Sequence, residues 1–161
     1  MRAPSTVLVR HDPCHWLPEG GVAEVVLAGS ATPPDPVALV RLAVTSPGPD
    51  GPALLVTERA DGRGPDLPTA VVGDTVGATV RRLAGEVLTG HDPTRLVGWV
   101  RNTVPVDAAP YPWPTPVAHF AVWHVVAARD QLRTGRWLPL VETGSVLGER
   151  HWWPLLPHVR T

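Results

Sequence analysis

Apolar residues fall along this chain in short runs, and clusters of proline, glycine and aspartate separate them. Val37 to Thr45 (VALVRLAVT) reads as a strand, rich in β-branched residues and bounded by proline on both sides. Pro47 to Pro52 turns the chain, and Ala53 to Thr57 (ALLVT) is predicted to pair back as a hairpin partner. Asp61-Gly62-Arg63-Gly64 is a turn cluster. Thr6 to Arg10 is a short strand, and Val22 to Ala28 is a second strand or a short helix. Arg95 to Val104 and Val117 to Ala128 are further strands, the latter long enough to be central. Arg136 to Leu140 is a short element, and Val146 to Val159 is expected to contain a closing helix.

One segment has the other period. Val76, Val80, Leu83, Ala84, Val87 and Leu88 fall on one face of a helix over Val76 to Leu88. Asp74 or Thr75 can cap its start and Gly90 can end it. Gly77 and Gly85 cost this helix roughly 1 kcal/mol each relative to alanine, so packing must hold it. Strands and helices in this order predict an α/β (α+β) fold, a mixed sheet sandwiched between helices.

Composition narrows the picture. The 161 residues suit one domain with a real core, with residues 1–36 as an N-terminal extension or added strands. The net charge of −1 gives no broad pull toward nucleic acid or membrane, and no basic helix with interleaved aromatics appears. All 14 basic residues are arginine, which excludes lysine Schiff-base chemistry. One cysteine, Cys14, and the lack of a long apolar run fit a reducing cytoplasm. The expected partners are a small-molecule ligand and a second copy of the chain as a homodimer. The 20 prolines gather in the loops between the predicted elements.

Leu54 to Gly90 carries a pattern of its own: a hydrophobic strand, an Arg-Ala-Asp-Gly turn, a Leu67-Pro68 entry, a loop, an Arg-containing amphipathic helix and a glycine. This layout resembles the Nudix hydrolases, whose signature is G-x5-E-x7-R-E-U-x-E-E-x-G-U, with U a bulky aliphatic residue. The resemblance runs over residues 37–158 and includes Trp137-Leu138-Pro139-Leu140, similar to the family's segment before its last helix. Laid on the signature, Arg82 matches the arginine, Leu83 stands at the first helix glutamate, Glu86 at the second and Val87 at the third. Thr69-Ala70 replaces the glycine pair, Asp74 is a rough stand-in for the loop glutamate, and an extra residue precedes Gly90. The resemblance therefore implies a degenerate Nudix box.

Diphosphate cleavage in that family uses Mg²⁺ or Mn²⁺ held by hard carboxylate oxygens. Glutamates one helical turn apart make a compact ligand set, and Glu86 alone remains here, within i, i+4 reach of Arg82. Weak Mg²⁺ or Mn²⁺ binding at Glu86, helped by Asp66, Asp74 or Asp107, is the expectation; the bland alternative is an exposed Arg82–Glu86 pair. Arg82 and Glu86 are catalytic candidates on this resemblance.

Other residues carry chemistry of their own. His119 and His124 lie in the long strand, where alternation points them to opposite faces; either can act as a base at a pocket wall or sit satisfied in the core. Tyr111 and Trp113 lie on a loop with five prolines between Pro105 and Pro116, and Asp107 is in the same loop. In the Nudix fold such a loop borders the substrate, which makes Tyr111, Trp113 and Asp107 ligand-binding candidates. The expected pocket lies between the sheet, the box helix and this loop. His11-Asp12-Pro13-Cys14-His15 has no second cluster to complete a zinc site. Trp152 and Trp153 cannot both be buried in a regular helix, so one faces a ligand or partner. Two functions follow: a Nudix-like hydrolase of a diphosphate-linked small molecule with an incomplete metal site, or a metal-independent member whose pocket binds or transforms an apolar metabolite.

Overall fold

The computed structural model of the chain describes residues 2–108 and 110–159. Its strands are β1 (Thr6–His11), β2 (Val22–Leu27), β3 (Val37–Ser46), β4 (Ala53–Glu58), β5 (Pro65–Asp66), β6 (Thr69–Val71), β7 (Arg95–Thr103), β8 (Val117–Val126) and β9 (Arg136–Pro139). They join in one mixed sheet in the order β1-β2-β7-β8-β3-β4-β5, with β6 paired to β3 and β9 to β4. The β8 strand is central, antiparallel to β7 and parallel to β3. The N-terminal residues add β1 and β2 to one edge as an antiparallel pair, so Val22–Leu27 is strand, not helix.

Alternation along β3 divides the core. Val40, Leu42 and Val44 meet Val80, Leu83, Ala84 and Val87 of α1 (Val76–Val87) on one face. Leu39 and Ala43 face the other way, where Leu147, Trp152, Leu155 and Leu156 cover the sheet. The Thr75 side chain caps α1 by accepting from the Ala78 amide at 3.1 Å. Gly90 does not end the helix. It stops at Val87 because Leu88 turns extended to bridge Leu132, and the Arg133 amide donates to the Val87 carbonyl at 2.8 Å.

The closing helix expected over Val146 to Val159 is broken. A short α2 (Thr143–Leu147) gives way to a turn and then to a 3-10 helix over Trp153–His158. Pro154 and Pro157 supply no amide donors, so an α-helix cannot run through. The two tryptophans divide as burial requires: Trp152 is fully buried and Trp153 partly so, with ring centroids 6.3 Å apart. Among the described residues no helix is long and apolar enough to cross a membrane.

Candidate functional site

Helix α1 turns inward the two residues that align with signature glutamates. Leu83 and Val87 are each 4% exposed and pack on β3, and Thr79 is buried as well. Glu86 points to solvent and pairs with Arg82, Nη1 to Oε1, at 3.1 Å. Both side chains are more than half exposed, so the pair adds only a few tenths of a kcal/mol. Asp74 and Asp107 are exposed elsewhere, and Asp66 is buried and fully engaged, as described below. No group of three or more His, Cys, Asp or Glu side chains converges among the described residues. The residues present therefore do not fit a Mg²⁺ or Mn²⁺ centre, which needs several oxygen donors aimed at one point.

The histidines of β8 are both buried and both occupied. His119 lies on the α1 side, where its Nε2 accepts from Arg101 Nε at 3.2 Å and its Nδ1 lies 3.1 Å from the Pro36 carbonyl. Accepting at Nε2 makes Nδ1 the donor, so the ring is neutral. Burial first, then the Arg101 charge, hold its pKa down. His124 faces the opposite side, 2.8 Å from Thr45 Oγ1. Burial, with Arg95 nearby, lowers its pKa to about 4. Neither histidine, nor Arg82, Glu86 or Asp107, is among the residues lining the main cleft.

That cleft has a volume of about 640 Å³ and lies on the sheet face away from α1. The expected pocket beside the box helix is thus displaced to the other side of the sheet, because Leu83 and Val87 close the α1 side with core. The proline-rich loop does border it. Trp113 packs edge-on against Phe120 of β8, centroids 5.4 Å apart, and Tyr111 lies beside it. Leu39 and Leu67 extend this apolar wall. From the N-terminal segment, Trp16 forms another wall with its ring stacked on His151, centroids 3.9 Å apart and planes 14° from parallel.

The polar end of the cleft is built around Asp66. This carboxylate is 4% exposed. Its Oδ1 accepts from Trp152 Nε1 and from the Leu67 amide, each at 2.8 Å. Its Oδ2 accepts from Arg59 Nη1 at 3.2 Å, with Arg150 Nε 3.8 Å away. Arg59 also clamps Asp61, Nη2 to Oδ2 at 2.6 Å, and this pairing lowers the Asp61 pKa to about 2. The turn carrying these groups needs left-handed backbone at Gly62 and Gly64, with φ of 73° and 86°. Arg150 donates through Nη2 to the Arg63 and Pro65 carbonyls at 2.8 and 2.7 Å, tying the C-terminal segment to that turn.

Arg41 is the group left over. It projects from β3 on the Leu39 face, and its Nε is buried with no hydrogen-bond partner among the described residues. The cleft's three carboxylates pair with other arginines: Glu58 with Arg136, Asp61 with Arg59 and Arg63, Asp66 with Arg59 and Arg150. Burial lowers the Arg41 pKa; Asp66 offsets this, while Arg59 and Arg150 add to it. An arginine keeps its proton through such a shift, so a charge sits here with Asp66 nearby but no ion pair of its own among the described residues. Asn102 Oδ1 and the Tyr111 hydroxyl are also buried without a partner. Burial raises the Tyr111 pKa, and the adjacent Asn102 amide moderates that rise without reaching hydrogen-bond geometry. Arg41, Asp66, Asn102 and Trp16 were not singled out by sequence as cleft residues. A lone arginine in the apolar run VALVRLAVT was the one available sign.

No protein-family model and no curated protein sequence matches the chain. Solved structures do match its fold. A candidate Nudix hydrolase from Listeria monocytogenes superposes with a TM-score of 0.50 at 12% identity, over 68% of this chain and 82% of that one. The M. smegmatis Nudix hydrolase RenU superposes with a TM-score of 0.53 at 16% identity, over 76% of this chain and 83% of that one. The chain has the Nudix fold, and its mixed sheet between helices is the architecture the sequence predicted.

Proposed function

We propose that this chain is a Nudix-fold small-molecule-binding protein whose working site is the aromatic-walled cleft on the sheet face opposite α1. The observation that carries this reading is the burial of Leu83 and Val87 at 4% each: two of the box's carboxylate positions are core. The cleft, at about 640 Å³, falls in the size range of ligand sites, roughly 300–1,000 Å³. Trp16, Tyr111, Trp113 and Phe120 supply rigid apolar walls with few rotatable bonds to order. An apolar or aromatic ligand suits them.

The competing reading, hydrolysis of a diphosphate-linked compound with Mg²⁺ or Mn²⁺, is favoured by the solvent-facing position of Glu86, which leaves its carboxylate open to a hydrated cation. The two readings separate in one calorimetric experiment. Titration with Mn²⁺ is expected to give no sub-micromolar binding, and Glu86→Gln to change nothing. Tight Mn²⁺ binding lost in Glu86→Gln, with metal-dependent phosphate release from a nucleoside diphosphate sugar, would establish the hydrolase instead.

A further inference from the structure

The six buried side-chain polar atoms without a partner among the described residues are not spread evenly. Arg41 Nε, Asn102 Oδ1, the Tyr111 hydroxyl and Trp16 Nε1 all belong to residues lining the one cleft. Buried polar groups are normally satisfied, and leaving one bare costs free energy. A group of them around an aromatic-walled cleft is the complement of a ligand's own polar atoms.

We propose that Arg41 is the anion anchor of this cleft and that the ligand is an aromatic carboxylic acid bearing its own N–H or O–H donor. This rests on the cleft being the binding site. Geometry selects the acid. Asp61 and Asp66 are already engaged by Arg59, Arg63 and Arg150, so among the described residues Arg41 is the cleft guanidinium without an ion-pair partner. A carboxylate brings one negative charge and two coplanar oxygens, which match the arginine fork. A phosphate monoester brings about −1.5 to −2 at pH 7, and its excess charge would face the neighbouring Asp66. Trp16 Nε1 can donate a further bond, Asn102 Oδ1 can accept one from a donor on the ligand, and the Tyr111 hydroxyl can serve either way. The ring of such an acid would lie along Trp113 and Phe120.

The test uses the full chain, 4-hydroxybenzoate, the matched neutral 4-hydroxybenzamide and phenyl phosphate, all at pH 7. Binding is read by calorimetry and by the arginine Nε–H signals in NMR, the Arg41 signal being assigned from its loss in Arg41→Gln. The acid is expected to shift the Arg41 signal and to bind roughly tenfold more tightly than the amide. Arg41→Gln should remove that preference, weakening the acid far more than the amide. Arg41→Lys, which keeps charge but loses the fork, should fall between and covers the case of a Gln variant that does not fold. Equal binding of acid and amide would sink the anchor and leave the cleft reading standing. Absence of binding by every probe would sink both. Phenyl phosphate binding more tightly than the acid, in an Arg41-dependent way, would overturn the carboxylate assignment.

Discussion

Trp152 donates its indole N–H to Asp66 across 2.8 Å, joining the C-terminal segment to the floor of the cleft. Both partners are nearly fully buried. The same carboxylate holds Arg59 and Arg150, so it fixes the turn, the cleft wall and the closing segment together.

Asp66→Asn should therefore be strongly destabilising. The amide keeps the shape and one acceptor but leaves clustered arginines less compensated. Breaking a buried pair by removing one partner costs about 3–5 kcal/mol, less here because Arg59 is a third exposed. A loss of about 2 kcal/mol in urea unfolding is expected. Trp152→Phe combined with Asp66→Ala should cost less than the sum of the two, since both remove the Trp152–Asp66 bond.

Gly85→Ala should stabilise the chain. Gly85 lies on the exposed side of α1, and a Cβ added there would meet nothing within 4 Å. Alanine restricts the unfolded chain and favours helix by roughly 0.5–1 kcal/mol, readable as a raised urea midpoint with unchanged slope. An unchanged or lowered midpoint would show that the helix is strained there.

Stability should fall as pH drops below the ordinary histidine range. His124 is 2% exposed, and its pKa is lowered from 6.5 to about 4. Between those values the unfolded chain binds a proton that the folded chain refuses, so stability rises with pH across the window and is fully present above it. The shift corresponds to a loss on the order of 3 kcal/mol by the acid end of the window. His119 acts in the same direction. Unfolding curves of His124→Gln between pH 4 and 7 should be flatter than those of the parent; an equal slope would assign the acid sensitivity to other groups.

Trp113→Ala should weaken binding of aromatic probes roughly tenfold, as expected for loss of a stacking wall. Its partial burial against Phe120 makes a modest loss of about 1 kcal/mol in stability the expected accompaniment. A loss of several kcal/mol with unaltered binding would make it a core residue and no more.

Periodicity served α1 because the helix has one buried face, whereas β3, buried on both, is legible from its β-branched run between prolines. The apolar stripe of α1 and the β-branched run of β3 left little choice of structure. Strands as short as Pro65–Asp66 and Thr69–Val71 carry too few residues to show a period. The cleft was harder to place. Alternation separates the faces of a strand but does not say which face a loop of prolines will fold across, and so Trp113 and Tyr111 could be named without their partners. Arg41 was hidden by its surroundings, since a charge in an apolar strand reads as a local exception until the arginines and carboxylates brought from Arg59, Asp66 and Arg150 can be counted beside it.

The inward turn of Leu83 and Val87 also restricts what this chain can become. Leu83→Glu and Val87→Glu together would put two carboxylates against Val40 and Leu42, without partners. Each such burial costs several kcal/mol, and together they would rival the roughly 5–15 kcal/mol that keeps a domain folded. Holding carboxylates there would require rotating the helix about its axis and exposing the residues that now anchor it. In this register the helix tolerates change in the cleft across the sheet, whereas glutamates at 83 and 87 would set their charges inside the core.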